Sequence, residues 1–255
     1  MANEVEGDFT HFEIPLHNLP NGENSMFGAG NFDHITPDVQ KIFEAARVSM
    51  DLHYGIREDM IKKSRDIVTL SKKAIFSLHR TNLNTETPNF NATKKQIEAI
   101  IPLFIEMYSL TAKQEIYRYY SIISGALQEF IEAVTFMEFL EKGLLLSKDE
   151  ILSRYFSNEG GAVFIDDKCY ILGILDLPGE ITRFAIKCST ENNVQKVSAC
   201  LEFLRNLSSS LLALNIPRDS KKFSIKLTVL DSSIQKIELC SFSLSIRQKE
   251  SMSLH

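Results

Sequence analysis

Between Gly125 and Phe136 the chain reads GALQEFIEAVTF, an apolar segment that carries two acids, Glu129 and Glu132. On a helix, a spacing of three puts both carboxylates on one face, roughly 5–6 Å apart at Cβ. Glu is almost never fully buried unless paired. Two acids in such surroundings repel each other, and they need a cation or a shared proton to be tolerated. A second segment has the same character. Tyr170 to Ile186 reads YILGILDLPGEITRFAI, and its acids, Asp176 and Glu180, are four apart. Two acidic pairs on two apolar helices point to one metal site assembled between helices.

The rest of the chain narrows the class. A length of 255 residues suits one large domain or two small ones, and 44% hydrophobic content suits a globular protein. A net charge of −5 argues against a general nucleic-acid coat, though not against a local basic strip. The four cysteines form no CxxC pair and read as buried thiols of a reducing compartment. The N-terminus has no signal-peptide core, and no apolar run reaches the ~18 residues of a membrane span.

Residues 1–35 read as a flexible tail and 36–250 as one all-α domain of about seven helices. Thr36-Pro37 opens a first helix running to about Thr81, with Met60, Ile67 and Ala74 on one stripe. Between Arg57 and Arg80 there are seven Lys/Arg against three Asp/Glu. That strip is either a solvated face or one that meets RNA or a partner. Thr93 is expected to cap a second helix to Leu110, kinked or split by Pro102. Thr111–Lys142 is the third, on which Glu138 falls about 180° from Glu129 and Glu141 about 120°. Ser147 and Glu150 form a capping box for the fourth. Asp166 or Asp167 caps the fifth, to about Cys188, and the sixth runs from Thr190 to about Asn215. The last segment is ambiguous: FSIKLTVL alternates like a strand, while Phe223, Leu227, Leu230, Ile234 and Ile237 fit a helical stripe. A lone hairpin in a helical chain would be isolated, which favours helix.

Three blocks together resemble the translin family: Ser64–Ile67 with Ser71–Arg80, Gly125–Phe136, and Tyr170–Glu180. Ser220–Lys222 and Leu244–Arg247 extend the likeness over about residues 40–247. The resemblance implies an all-α bundle that assembles with translin subunits into a hetero-oligomeric shell, in cytoplasm and nucleus. It implies a Mg²⁺-dependent endoribonuclease cutting single-stranded RNA, such as passenger-strand fragments of RNA silencing or by-products of tRNA processing. The family's catalytic, metal-holding acids map onto Glu129, Glu132, Asp176 and Glu180. Translin itself lacks this set, so the chain is similar to the catalytic partner. Arg118 and Tyr119 match a segment associated with nucleic-acid contact. Pro178 departs from the family's pattern: it removes an amide that would bond to Ile174 and is expected to re-aim Asp176 relative to Glu180.

Other readings stay open. Each acid could pair with a nearby cation, as Glu180 with Arg183 one turn on. Arg118 could be a surface residue beside core tyrosines, and His79 a packing residue at a helix end. The chain could be a structural partner that stabilises translin and binds nucleic acid without cutting. A different carboxylate enzyme is a third class, but ExxE is not followed by the ExxD of nucleotide pyrophosphatases, nor does either pair have the Glu-x-x-His of di-iron bundles.

Overall fold

The computed structural model describes residues 36–83, 88–111, 116–157, 163–214 and 221–253. The expected tail, the Gly160-Gly161 loop and Ile216-Pro217 lie outside the described residues. Every regular element among the described residues is a helix: α1 Thr36–Arg80, α2 Asn91–Glu98, α3 Ile101–Ser109, α4 Ile116–Lys142, α5 Lys148–Phe156, α6 Asp167–Ile174, α7 Leu177–Thr190, α8 Val194–Leu212 and α9 Lys221–Ser253. The chain divides into two units, Met1–Met50 and Asp51–His255. In the first, Arg47 and Glu44 pair across one turn at 2.6 Å. The second contains the site.

In the second unit α4 is the central helix. Every residue from Phe130 to Phe139 on it is buried, so neighbours must surround it on all sides. Phe130 meets Phe104 of α3 edge-on at 5.3 Å and Tyr155 of α5 at 5.5 Å between ring centroids. On another side α4 packs against α6 and α7, while α7, α8 and α9 pack on one another. The α4–α6 approach is close because residue 173 is glycine. A Cβ there would lie 2.9 Å from Ile131 Cβ and Cγ2 and 3.2 Å from the Gln128 carbonyl.

The ambiguous last segment is helical, and its core residues show why. Phe223, Leu230, Ile237 and Leu244 recur every seven residues and are at most 7% exposed. Met60, Ile67 and Ala74 make the corresponding seam on α1, each fully buried. The alternation in FSIKLTVL therefore carries no strand.

Two of the expected seven helices each break in two, at a proline. Pro102 lies in the first turn of α3, and Pro178 in the first turn of α7. In a first turn the missing amide would have had no intrahelical partner, so the proline starts a helix instead of damaging one. One cap and one helix start are also corrected. Thr93 is buried inside α2, whose N-cap is Phe90 without a side-chain bond. The sixth expected helix starts at Val194, capped by Asn193, and not at Thr190, which still belongs to α7. The capping box holds, with Glu150 accepting from the Ser147 amide at 2.8 Å, and Asp166 is the cap of α6.

The Gly173 contact gives a test of this architecture. Gly173→Ala overpacks the α4–α6 interface and lowers stability by about 1–3 kcal/mol, read as a lower midpoint in urea unfolding with an unchanged slope. Alanine at full stability would show that the two helices separate freely.

A candidate site of four carboxylates

Glu129 and Glu132 come from one face of α4, Asp176 from the break between α6 and α7, and Glu180 from the first turns of α7. Glu129, Asp176 and Glu180 all lie near enough to Glu132 for their charges to act on it. Burial first, and then the charges of Asp176, Glu129 and Glu180, push the Glu132 carboxyl up to about 8. Lys226 opposes them last and least. Helix packing fixes this convergence: α6 is pressed onto α4 at Gly173, three residues before Asp176.

Three of the acids are paired with basic side chains. Lys72 of α1 reaches Glu129 at 3.4 Å. Lys226 of α9 donates to Asp176 at 2.6 Å, to the Leu172 carbonyl at 2.8 Å and to Gln128 Oε1 at 3.4 Å. His79 of α1 bonds to Glu180 through Nε2, and its ring lies 4.9 Å from that of Phe136. This bond, helped by Arg183, holds the Glu180 carboxyl below the usual range against the upward push of burial. Arg183 lies 3.9 Å from Glu180. The sequence pattern singled out Arg183 and passed over Lys72, Lys226 and His79 as partners. Lys72 and His79 are seven apart, hence on one face of α1, and that spacing was the available signal. Lys226, far along the chain on α9, offered none.

A second buried acid on α4 shows what is unusual about Glu132. Glu138 is 3% exposed. Burial raises it, but hydrogen bonds from Arg154 at 2.7 Å and Lys142 at 2.9 Å outweigh that and hold it below the usual range. Glu138 and Glu141, the latter paired with Lys94 at 2.8 Å, thus belong to other contacts, as their helical phase predicts. Glu132 is the buried acid whose neighbours are chiefly other acids.

The donor chemistry fits a hard divalent cation: carboxylate oxygens around one acid whose carboxyl is raised by burial first and by its acidic neighbours second. The present conformation is not a ready-made cage. Among the described residues no three His, Cys, Asp or Glu side chains stand as a metal site. Three of the carboxylates are instead engaged by Lys72, Lys226 and His79.

The nucleic-acid pair expected at Arg118 and Tyr119 is corrected in part. Arg118 is exposed. Tyr119 is 2% exposed and bonds through its hydroxyl to His53 Nδ1 at 2.6 Å, so its ring offers no face for a base. The exposed aromatic is its neighbour Tyr117, at 76%. Three of the cysteines, Cys169, Cys188 and Cys200, are buried free thiols, and Cys240 is half-buried. No described helix is long and apolar enough to cross a membrane.

The geometry can be set beside known proteins. A model of the translin family matches residues 55–248. The Translin-associated protein X homolog of Schizosaccharomyces pombe is 33% identical over 203 residues, 76% of this chain and 83% of that one. Translin-associated protein X of Pongo abelii is 25% identical over 83% of this chain and 80% of its own. Translin of Gallus gallus is 28% identical over 84% of this chain and 85% of its own. Among solved structures, apo-NeC3PO superposes with a TM-score of 0.61 at 21% identity, covering 87% of this chain and 100% of that one. The AfC3PO–duplex RNA complex also gives 0.61, at 18% identity, over 80% of this chain and 97% of its own. These structural likenesses bear on the fold.

The Glu132 environment predicts a pH dependence. Its folded carboxyl is raised, so the neutral form contributes stability that is fully present below about pH 4.5 and lost as pH rises through about 8. Glu132→Gln keeps the shape and removes that titration. In EDTA, the variant gains on the natural protein as pH rises through this window, by at most about 1.4 kcal/mol per pH unit. Parallel melting curves across pH 5–9 would remove Glu132 as the strained acid.

Proposed function

The chain belongs to the translin family, and on that premise we propose that it is the catalytic subunit of a complex with translin, a Mg²⁺-dependent endoribonuclease acting on single-stranded RNA. One observation carries the reading: Glu129, Glu132, Asp176 and Glu180 share one charge field, in which Glu132 is pushed up to about 8. Glu129, Asp176 and Glu180 are each paired, but Glu132 is buried with chiefly acids for neighbours, an unfavourable arrangement that a divalent ion would relieve. The relatives named Translin-associated protein X support the assignment to the partner of translin.

Glu129, Glu132, Asp176 and Glu180 would hold the ion. When bound, Mg²⁺ supplies a polarised water and neutralises charge at the phosphorus. The chain's own groups have separate parts. Lys72 is 64% exposed and Lys226 is 20% exposed, and both have long flexible stems. Their ammonium groups can leave Glu129 and Asp176 for phosphate oxygens of the RNA backbone. His79 keeps Glu180 ionised and oriented. Glu132 gives up its proton when a cation arrives, which makes affinity for the ion rise with pH.

Exposed apolar side chains on α9, Ile225, Val229, Leu239, Phe242 and Ile246, 41–67% exposed, supply surface for partner subunits. A second reading, that of a non-catalytic partner that stabilises translin and binds nucleic acid, draws on one observation. The acids are held by Lys72, Lys226 and His79 in an arrangement that is not a ready-made metal site.

The two readings separate in one assay. The chain is co-expressed with translin and given labelled single-stranded RNA with Mg²⁺. The expected result is cleavage that EDTA abolishes and that Glu129→Gln lowers by about 100-fold or more, with co-purification of the partner unchanged. A well-assembled complex that binds RNA without cutting it establishes the structural partner instead.

A further inference from the structure

Beside the acids, the C-terminal part of α1 lines an open cavity of about 410 Å³. Its walls are Lys73, Phe76, Ser77, Arg80, Thr81 and Gln96. Lys73 follows Lys72, the partner of Glu129, and Arg80 follows His79, the partner of Glu180. Each step turns about 100° around the helix, so α1 presents one stripe to the acids and the next to this cavity.

The lining has three properties that define a ligand. It is cationic: Lys73 and Arg80 have no ion pair among the described residues, whereas Lys62, Lys63 and Lys72 on the same helix lie 3.5 Å from Asp59, against Glu106, and 3.4 Å from Glu129. It has an aromatic face: Phe76 is 53% exposed, with the Arg80 guanidinium 5.5 Å over its ring. It also holds an unmet acceptor, since Gln96 Oε1 is buried with no hydrogen-bond partner among the described residues. An orphaned buried acceptor is unfavourable by about the worth of a lost hydrogen bond unless a ligand donor reaches it. Two cations without an acid exclude a metal ion, and they make a plain apolar ligand a poor match. Anion, flat ring and ring N–H donor together describe a nucleotide.

We propose that this cavity is a nucleotide subsite for single-stranded RNA. A base lies against Phe76, the adjoining phosphate sits between Lys73 and Arg80, and a base N–H donates to Gln96 Oε1. Base–aromatic stacking tolerates any base, as a strand read without sequence preference requires. The subsite rests on the reading of the chain as an RNA-handling subunit and does not depend on cleavage. It sets the strand against the side of α1 that leads round to Lys72, Glu129 and Glu180.

The test measures binding apart from chemistry. The full chain in complex with co-expressed translin is titrated into fluorescein-labelled oligouridine in EDTA, by anisotropy, over a range of salt. Phe76→Ala is expected to weaken binding about tenfold. Lys73→Gln is expected to lower the slope of log affinity against log salt by about 0.7, one phosphate contact on a single strand. Both side chains are exposed, so the fold tolerates the changes, and melting curves check that. Affinity and slope unchanged in both variants overturn the subsite, and so does loss of translin co-purification with RNA affinity intact, which would make the patch a protein interface. Phe76-dependent binding by a complex that does not cleave with Mg²⁺ upholds the subsite and overturns the catalytic reading.

Discussion

The helix that is buried on every side, α4 between Phe130 and Phe139, is the constraint from which the rest of the second unit follows. A helix without a solvated face cannot be the outer wall of anything. It needs aromatic packing from α3 and α5, a close helix at Gly173 and a cover from α7. Any polar residue on it is forced into the interior with it. Glu138 illustrates the structural answer, a carboxylate enclosed by Arg154 and Lys142. Glu132, two turns earlier, has acids where Glu138 has cations. Packing alone would favour an apolar residue there, so its presence is a statement about chemistry.

The prolines tie that chemistry to the fold. An unbroken helix from Asp167 to Thr190 would carry Asp176 and Glu180 as neighbours one turn apart, both subject to the same helical phase. At the break Leu175 and Asp176 keep right-handed helical dihedrals, so the two acids stay about one turn apart, and Pro178 sits in the first turn of α7, where its missing amide costs no helical bond. Asp176 occupies the N-cap position, yet its side chain makes no capping bond and accepts from Lys226 instead. A residue well placed to cap a helix has its carboxylate turned toward α9. The departure from the family's pattern at Pro178 is therefore compatible with the acid cluster.

Much of this was legible in the sequence, for physical reasons that differ by residue. The four acids stood out because carboxylates in apolar helices are rare, and local spacing placed them in pairs. Ser147 and Glu150 were legible because a capping box lies within four residues. The seam of α9 was harder, since β-branched residues alternate there and only the sevenfold recurrence of Phe223, Leu230, Ile237 and Leu244 decides for helix. Thr93 misled because a good capping residue near a boundary does not fix the boundary when tertiary packing moves it by a few residues, and the helix start placed at Thr190 moved to Val194 in the same way. Tyr119 misled because an aromatic beside an arginine looks the same whether it faces solvent or His53. Lys226 was invisible: its contact with Asp176 spans 50 residues, and no local pattern encodes such a distance.

The cations of the site carry the last step. Lys72, Lys226 and His79 come from α1 and α9, helices far apart in sequence that meet the acids from outside α4, α6 and α7. They balance three of the acids and leave Glu132 to be balanced by a proton. A site with its charges fully matched would bind nothing further with advantage. Under the proposed function, a site matched by two lysines and a titratable proton would exchange these for a divalent cation as the lysine heads move away. In that reading the same lysine heads would then be free to meet an RNA phosphate. On this argument the ion pairs seen around the four acids are counter-ions of a resting site, and the shortage of charge at Glu132 is the part of the fold that makes the exchange favourable.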